Sequence, residues 1–390
     1  MRRFLAIGLL CLSHCTRPEC TPSDFRDPEC RVIAENELAQ LKSSDGVEVR
    51  FQDPDSDKTA TWDAKGLVRL AEDGTFKARV AGLGSFRISV HRPEDGPLTV
   101  GVAIDNVHPD VPTLDGEVDR IGLVRHLELE LVEAVTEIRG DLPEAACSGA
   151  YRVGAVADIQ TNPLQFSRIV EALHEEADDG PPLLGLVLLG DVAELGSREE
   201  MRFVAELMAA SPVPIALTAG NHDVYSDVDA VFNETFGPGN HVFDVCDAHF
   251  TLLDTGSGYL AASVRGRLNQ LFQTDRRFLI AGMHHPPYPK RTSSGWSKED
   301  QAQHLVAELS AHDGDLILAG HLHQRLQFPN TPVPQIIVGT GGATQFAVDP
   351  DFGFLRMEFD GNKMETCFVS VPAPGSQGDQ SRRRGPDNCP

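Results

Sequence analysis

Five short runs of apolar residues, spread over residues 150–320, form the clearest hydrophobic pattern of this chain. Apolar runs of this length are typical of strands that are covered on both faces of a sheet. Helical patterns lie between them: after Asn162 and Pro163, the residues Phe166, Ile169 and Leu173 fall on one helical face. Strands that alternate with amphipathic helices predict an α/β domain. The predicted strands are residues 153–157, 183–189, 215–218, 278–283 and 316–319.

Two further helices are predicted from their capping pattern. Ser197 is followed three residues later by Glu200, and Ser297 is followed by Asp300. A serine hydroxyl can accept from the backbone N–H three residues on, while the acidic side chain bonds back to the serine N–H. Both pairs precede apolar residues at helical spacing, so we expect a helix to begin at each serine.

The segment before these strands has a different period. Apolar and polar residues alternate at 47–51, 76–80, 86–90 and 100–104, which is typical of half-buried strands. Residues 31–105 are therefore predicted to form a small all-β, sandwich-like domain, which either binds carbohydrate or a partner or serves as a spacer. Residues 106–148 are predicted to be a connecting segment. The alternation continues at 127–131, so this segment is expected to add a strand to one of the two domains. The α/β domain is predicted over 149–370, and the Pro- and Gly-rich residues 371–390 are predicted to be disordered.

Residues 1–15 are predicted to direct export. Arg2 and Arg3 precede an apolar stretch that is too short to cross a membrane and that suits the core of a signal peptide. Residues 12–15 resemble a bacterial lipobox, in which Cys15 would be lipidated, although His14 replaces the usual small residue. Ordinary secretion with cleavage nearby is the alternative. We expect a location in the cell envelope, in the periplasm or at the outer membrane, with a lipid on Cys15 as the membrane contact.

The cysteine content agrees with export. Without Cys11 and Cys15, six cysteines remain, an even number that suggests disulfides in an exported chain. Many pairings are possible, and proximity favours Cys20 with Cys30. The six include no C-x-x-C pair, which argues against a zinc site made of cysteines.

Length and charge limit the organisation and the partners. At 390 residues the chain is long enough for two domains. The formal net charge of −24 argues against a nucleic-acid partner, because a polyanion would be repelled. The sequence predicts no particular oligomeric state.

Polar residues that suit metal ions follow the predicted strands. Oxygen and imidazole ligands gathered at strand ends are what divalent metals require. Taken singly, each polar segment fits a helix cap, a turn or a surface loop as well as it fits a metal site. Five segments in order predict a metal site beyond the strand ends. They are Asp158 with Gln160, Gly190 with Asp191, Asn221 with His222 and Asp223, His284 with His285, and His321 with His323.

In these five segments the chain resembles the calcineurin-like metallophosphoesterases, over roughly residues 150–345. The resemblance implies a four-layer α/β/β/α sandwich and two divalent metal ions bound side by side. It implies that His222 stabilises the transition state or protonates the leaving oxygen, and that Asp223 orients His222. The implied ligands of the first ion are Asp158, Gln160, Asp191 and His323, and those of the second are the bridging Asp191, Asn221, His284 and His321.

Gln160 departs from the family pattern, in which most members have histidine at this position. An amide oxygen is a harder ligand than imidazole, so it favours Mn²⁺ or Mg²⁺ over Zn²⁺. We therefore expect two divalent ions, with Mn²⁺ as the first choice and Fe, Zn²⁺ or Mg²⁺ as alternatives. By the same reasoning, the ion at Gln160 is the more weakly held.

The resemblance implies hydrolysis of a phosphoester. Two metal ions neutralise the phosphate, generate hydroxide from water and hold the leaving oxygen, so no covalent nucleophile is needed. The expected partner is a small phosphomonoester, phosphodiester or pyrophosphate substrate. Tyr288, Lys290 and Arg291 are predicted to contact it, and Trp296 offers another ring for stacking, with a solvated surface loop as the alternative. The second function considered is a non-catalytic envelope protein that uses the fold for binding.

Overall fold

Helix α1 (Pro28–Leu38) is the first element of the fold among the described residues. The computed structural model describes residue 20 and residues 26–52, 64–93, 98–112, 118–225, 230–288, 295–345, 352–373 and 388–389. The Asp27 side chain caps the helix by accepting the Glu29 N–H at 3.0 Å, and Pro28 occupies the first turn. Residues 31–38, predicted as the start of an all-β domain, are therefore helical. The Asp27-Pro28 pair is the local signal for this helix.

A β-sandwich follows, built from strands on both sides of residue 105. In the described residues its strands are β1 (Gln40–Lys42), β2 (Glu48–Gln52), β3 (Gly66–Leu70), β4 (Phe76–Val80), β5 (Phe86–His91), β6 (Leu98–Asp105), β7 (Val118–Ile121), β8 (Val124–Leu131) and β9 (Val135–Gly140). One sheet has the order β1-β2-β5-β9 and the other β3-β4-β6-β8-β7. Phe51, Ile88, Val102 and Leu131 are among the apolar residues packed between the sheets. The connecting segment 106–148 thus adds strands to this domain, as β8 pairs with β6 and β9 with β5.

The rest of the chain forms the α/β domain. Its elements are α2 (Glu144–Cys147), β10 (Tyr151–Val156), α3 (Pro163–Asp178), β11 (Leu183–Leu189), α4 (Arg198–Met208), β12 (Ile215–Thr218), α5 (Val231–Phe236), β13 (His241–Val245), β14 (Ala248–Leu253), α6 (Ala262–Arg265), α7 (Leu268–Leu271), β15 (Phe278–Met283), α8 (Glu299–Ala311), β16 (Leu316–Ala319), β17 (Arg325–Phe328), β18 (Gln335–Val338), β19 (Gly353–Asp360) and β20 (Lys363–Ser370). One sheet has the order β12-β11-β10-β19-β20 and the other β13-β14-β15-β16-β18-β17.

These two sheets form the inner layers of a four-layer α/β/β/α sandwich, as predicted. Apolar residues from both sheets, such as Val187 and Phe250, share one core. Helices α3 and α4 pack on the outer face of the first sheet through residues such as Phe166 and Met201. Helices α7 and α8 cover the second sheet through Leu268, Leu305 and their neighbours.

The local predictions for this domain have mixed outcomes. Four of the five predicted strands have the observed bounds, and the fifth, β10, begins two residues earlier and ends one earlier. The capping box of Ser197 and Glu200 is confirmed at α4. The prediction of a capping box at Ser297 is wrong: α8 begins at Glu299, and the Ser297 hydroxyl donates to the Gly258 carbonyl at 3.2 Å instead.

Asn106 joins the two domains. Its side-chain amide donates to the Ile215 carbonyl at 3.1 Å and accepts the Ile215 N–H at 2.8 Å, so it pairs with strand β12 as a neighbouring strand would. Because β12 lies at the edge of its sheet, these bonds satisfy backbone groups that the sheet leaves unpaired. Asn106 thereby fixes the strand that leads to the third polar segment.

Three disulfides link the cysteines in the described residues. Cys20 bonds Cys30, which confirms the predicted pair, and the others are Cys147–Cys246 and Cys367–Cys389. The last disulfide holds Cys389, whose N–H donates to the Phe368 carbonyl at 3.0 Å, beside strand β20. Residues 388–389, within the predicted disordered tail, are thus attached to the fold. In the described residues we find no helix that is long and apolar enough to cross a membrane.

Candidate metal centre

The predicted ligands meet where strands of both sheets end. Asp158, Asp191 and Asn221 follow β10, β11 and β12 of one sheet, while His284, His321 and His323 follow β15 and β16 of the other. Parallel pairing of β10 with β11, β11 with β12, and β15 with β16 places these strand ends at matching edges. The topology therefore gathers side chains that are more than 160 residues apart in the chain, such as Asp158 and His323.

One cluster contains Asp158, Asp191 and His323, with ligand atoms within 4.8 Å of one another. Both carboxylates are buried. The His323 Nδ1 atom lies 3.0 Å from the Thr344 carbonyl, which leaves Nε2 facing the Asp158 carboxylate at 3.9 Å. An orienting bond of this kind fixes the tautomer of a metal-binding histidine.

The second cluster centres on His284, His321 and Asn221. The Asn221 Oδ1 atom lies 3.0 Å from His284 Nε2 and 3.0 Å from His321 Nδ1. The other ring nitrogen of His284 bonds the Leu189 carbonyl at 2.9 Å, so Nε2 is the atom available to a ligand. The same Nε2 lies 3.2 Å from Asp191 Oδ2, and Asp191 therefore touches both clusters.

His285 belongs to the second cluster, although the predicted ligand set did not include it. Its ligand atom lies within 4.8 Å of those of His284 and His321. His285 is buried, and its Nδ1 atom bonds the Thr255 carbonyl at 2.7 Å. The only sequence signal for it is its position beside His284.

Gln160 is close to both Asp191 and His323, and its side-chain amide can take either of two orientations. In one, its Nε2 atom lies 3.3 Å from His323 Nε2. In the other, the amide nitrogen donates to Asp191 Oδ2 at 2.9 Å, and the amide oxygen accepts from His222 Nε2 at 3.3 Å. The first arrangement turns the amide oxygen towards the Asp191 oxygens, which is favourable only with a cation between them.

The electrostatics and the unpaired atoms of the site fit a metal ion. Burial raises the pKa of Asp158, and the Asp191 charge raises it further. In Asp191, burial is outweighed by His284, which holds the pKa of that carboxyl below its usual range. The Asp158 Oδ2 atom is buried and has no hydrogen-bond partner among the described residues. A buried carboxylate oxygen without a partner is costly in a dry site, so the donor set suits a cation that compensates it.

Asp223 does not orient His222, contrary to the prediction. Its carboxylate accepts four backbone N–H groups, from Asp191 at 2.8 Å, Val192 at 2.9 Å, Ala193 at 3.1 Å and Gly220 at 2.8 Å. These bonds fix the loop that carries Asp191, and the Asp223 carboxylate has no capacity left for the His222 ring.

The Glu194 carbonyl orients His222 instead, through a bond to Nδ1 at 2.7 Å. The His222 N–H also donates to Asp191 Oδ1 at 2.9 Å, which places the residue beside the carboxylate that both clusters share. The opposite nitrogen, Nε2, faces Gln160. A backbone carbonyl has no residue signature, so sequence reasoning could not have identified Glu194.

Of the residues predicted to contact the substrate, the structure describes Tyr288 and Trp296. The Tyr288 hydroxyl donates to the Val333 carbonyl at 2.9 Å, and the ring packs against the core beneath α8, which indicates a packing role. Trp296 is buried and its indole N–H donates to the His285 carbonyl at 2.9 Å, so it does not stack on a substrate. Lys290 and Arg291, like Cys15, lie outside the described residues.

Comparisons with known proteins give one family model and several similar proteins. Residues 151–325 match the model of the calcineurin-like phosphoesterase family. Over 228 residues the chain is 27% identical to the 3′,5′-cyclic adenosine monophosphate phosphodiesterase CpdA of Pseudomonas aeruginosa, an alignment that spans 53% of this chain and 80% of that protein. A purple acid phosphatase from yellow lupin (Lupinus luteus) seeds aligns with a TM-score of 0.49 and 15% identity, over 80% of this chain and 75% of that one. PhoD aligns with a TM-score of 0.46 and 10% identity, over 76% and 91%.

Proposed function

We propose that this chain, whose residues 151–325 belong to the calcineurin-like phosphoesterase family, hydrolyses a phosphodiester at a site for two divalent metal ions. The observation that carries the proposal is the pair of ligand clusters that meet at Asp191. A phosphodiester is the first choice because the relative in Pseudomonas aeruginosa is a cyclic-nucleotide phosphodiesterase. The coarser assignment, a metallophosphoesterase, follows from the family itself.

The two metal positions are assigned to the two clusters. Asp158, Gln160, Asp191 and His323 would hold one ion, and Asp191, Asn221, His284 and His321 would hold the other, with His285 as a further candidate. Two such ions supply Lewis-acid activation of the phosphate ester and of an attacking water. Asp191 suits the shared position because each of its carboxylate oxygens already faces a different neighbour, the His222 N–H and His284 Nε2.

His222 is the proposed proton donor to the leaving oxygen. With one ring proton directed at the Glu194 carbonyl, a second proton on Nε2 is the one that can be transferred. The backbone bond to Asp191 keeps the ring beside the metal ligands without making it one. A general acid in such a position contributes about 10²–10⁴-fold in rate.

The metal and the location are also proposals. The Gln160 amide supports Mn²⁺ as the preferred ion, with Fe, Zn²⁺ and Mg²⁺ as alternatives. The three disulfides support export, because such bonds persist in oxidising compartments. A lipid on Cys15 would then be the attachment to the cell envelope.

The test compares substrates and variants of the purified protein with Mn²⁺ added. We expect activity on bis(p-nitrophenyl) phosphate and on 3′,5′-cyclic AMP, and elemental analysis should find two metal ions per chain. His222→Ala should retain the metals and lose about 10²-fold or more in kcat, whereas Asp191→Ala should lose both the metals and the activity. The control is His304→Ala, an exposed histidine on α8.

Three outcomes would contradict parts of the proposal. Activity confined to p-nitrophenyl phosphate would make the substrate a monoester. Full activity of His222→Ala would remove its role as proton donor. Two bound ions without hydrolysis of any mono-, di- or pyrophosphate ester would favour a binding protein that retains the fold.

A further inference from the structure

A cavity separate from the metal centre lies on the outer face of the β3-β4-β6-β8-β7 sheet. It has a volume of about 380 Å³ and is lined by residues from four neighbouring strands and by Thr235 at the end of α5. We call it the junction pocket, because Thr235 belongs to the α/β domain and the strands belong to the β-sandwich. Its lining contains none of the metal ligands assigned above.

Cationic side chains dominate the polar lining of the junction pocket. Arg69 and Lys77 face each other across β3 and β4, and Arg79 lies two residues from Lys77 on the same face. His126 adds an imidazole, and Asp105 is the one carboxylate among the lining residues. A local excess of positive charge on a chain with net charge −24 would attract small anions to this place.

The arginines of the pocket have hydrogen-bonding capacity to spare. Arg79 donates to Asp105 at 2.8 Å and only weakly to the Ile215 carbonyl, at 3.4 Å. Its Nε–H is buried and has no partner among the described residues. The Arg79 side chain is 15% exposed, so its guanidinium can still be reached from the pocket while it pairs with Asp105.

Arg69 experiences the same local excess of positive charge. It donates to the Thr235 carbonyl at 3.1 Å, at the rim of the pocket. Loss of solvation lowers the pKa of its guanidinium, Glu234 opposes this, and the nearby charges of Arg79 and Arg198 lower it again. An anion placed between Arg69 and Arg79 would relieve the repulsion between them.

We propose that the junction pocket is a second binding site, which takes a small organic anion with a phosphate-like dianionic head. Guanidinium groups match the geometry of phosphate oxygens, and an ammonium group such as that of Lys77 adds a point charge. Leu67, Ala103 and Val124 provide apolar lining for the organic body of the ligand. The volume is sufficient for a molecule of that size.

The test uses three probes with one body and different heads: phenylphosphonate, benzoate and benzamide. The phosphonate has a carbon–phosphorus bond, so a phosphoesterase does not hydrolyse it. Titration calorimetry of the full chain is done with Mn²⁺ and again with EDTA, which removes any binding at the metal centre. We expect one phosphonate per chain to bind in EDTA, with benzoate weaker and benzamide not detectable.

Pocket variants distinguish this site from the metal centre. Lys77→Gln and Arg79→Gln should each weaken phosphonate binding in EDTA by about 10-fold, while the binding seen only with Mn²⁺ stays unchanged. Lys77 is exposed, so its replacement should not affect folding. Arg202→Gln, an exposed arginine on α4 outside the pocket, is the matched control for charge.

The proposal is overturned if phosphonate does not bind in EDTA, if both pocket variants bind as the wild type does, or if Arg202→Gln weakens binding equally. Benzoate binding as tightly as phosphonate would overturn the dianionic head. None of these results bears on hydrolysis at the metal centre, so the two proposals fail separately.

Discussion

Replacing Arg31 with methionine should destabilise the protein strongly, although Arg31 lies in helix α1, far in sequence from the proposed metal ligands. Its side chain is buried and makes a two-bond ion pair with Asp254, from Nε at 2.6 Å and from Nη2 at 2.9 Å. A third bond joins Nη1 to the Ser257 hydroxyl at 3.1 Å. Methionine keeps much of the volume of arginine but leaves Asp254 charged, buried and without its counter-ion.

The expected cost follows from the burial of both partners. The side chains of Arg31 and Asp254 are 2% and 0% exposed, so water cannot solvate the carboxylate that remains. Removing one partner of a buried ion pair costs roughly 3–5 kcal/mol. That is a large part of the roughly 5–15 kcal/mol that stabilises a domain. Arg276→Met is the matched control: Arg276 pairs with Asp244 at 2.8 Å but is 42% exposed, so we expect a cost of about 1 kcal/mol or less.

Urea unfolding, followed by circular dichroism and tryptophan fluorescence, would measure both costs. The double variant Arg31→Met with Asp254→Leu should recover more than half of the loss, because no charge is left unpaired. Equal costs for Arg31→Met and Arg276→Met, or no recovery in the double variant, would refute the reasoning.

Metal binding should weaken in the same Arg31 variant. The residue after Asp254, Thr255, accepts the backbone N–H groups of His284 at 3.1 Å and His285 at 2.9 Å through its hydroxyl oxygen. Loss of the ion pair should therefore disturb the histidine pair, and a Mn²⁺ titration would detect it. An unchanged Mn²⁺ affinity would mean that the two structures are independent.

Three further predictions concern single side chains. Gln160→Ala should raise the Mn²⁺ concentration needed for half activity and Gln160→His should shift preference towards Zn²⁺ or Fe, and unchanged metal dependence in both would exclude Gln160 as a ligand. Asp223→Asn should weaken Mn²⁺ binding by about 10-fold or more, because the loop that carries Asp191 loses hydrogen bonds. The bond from His222 to the Glu194 carbonyl should remain, so the shape of the pH–rate profile should not change. Burial lowers the pKa of His241 to about 3, so as the pH falls His241 takes up a proton in the unfolded chain before it does in the folded protein. The stability that is present above pH 6.5 is therefore lost as the pH falls. Between pH 7 and pH 5 His241 should contribute a loss of about 2 kcal/mol, measured by urea unfolding as the difference in pH dependence between the wild type and His241→Phe, with the exposed control His304→Phe behaving as the wild type does.

The strands of the α/β domain could be predicted because a strand that is buried on both faces appears in the sequence as an apolar run. The run 183–189 is apolar without interruption, and all seven residues of β11 are buried. Helix caps are harder to predict than strands, because the residue types that cap helices also form hydrogen bonds in loops. Ser197 and Glu200 form the predicted box, whereas the Ser297 hydroxyl donates to Gly258 across a loop that the sequence does not reveal.

The first part of the chain was harder to predict because its boundaries depend on partners distant in sequence. Helix α1 has charged residues on its buried side, and they become intelligible only beside the α/β domain. Arg31 meets Asp254, and the Glu35 carboxylate accepts the backbone N–H of Gly239 at 2.8 Å. A sequence pattern that assigns charged residues to the surface therefore misses this contact.

The residue types of the proposed metal ligands could be read from the sequence, but the backbone conformation that positions them could not. Among the described residues, eight non-glycine residues have positive φ, and four of them are proposed ligands: Asp158 at 60°, Asp191 at 53°, His321 at 73° and His323 at 49°. This conformation costs a non-glycine residue about 1 kcal/mol or more, and it persists only where the surroundings impose it. Here they do so through backbone bonds, from the Asp158 N–H to the Gly190 carbonyl at 3.1 Å and from the Gly320 N–H to the His284 carbonyl at 3.0 Å. Because these bonds join segments far apart in the chain, the fold sets the direction of each ligand, and the sequence shows only which residues were placed there.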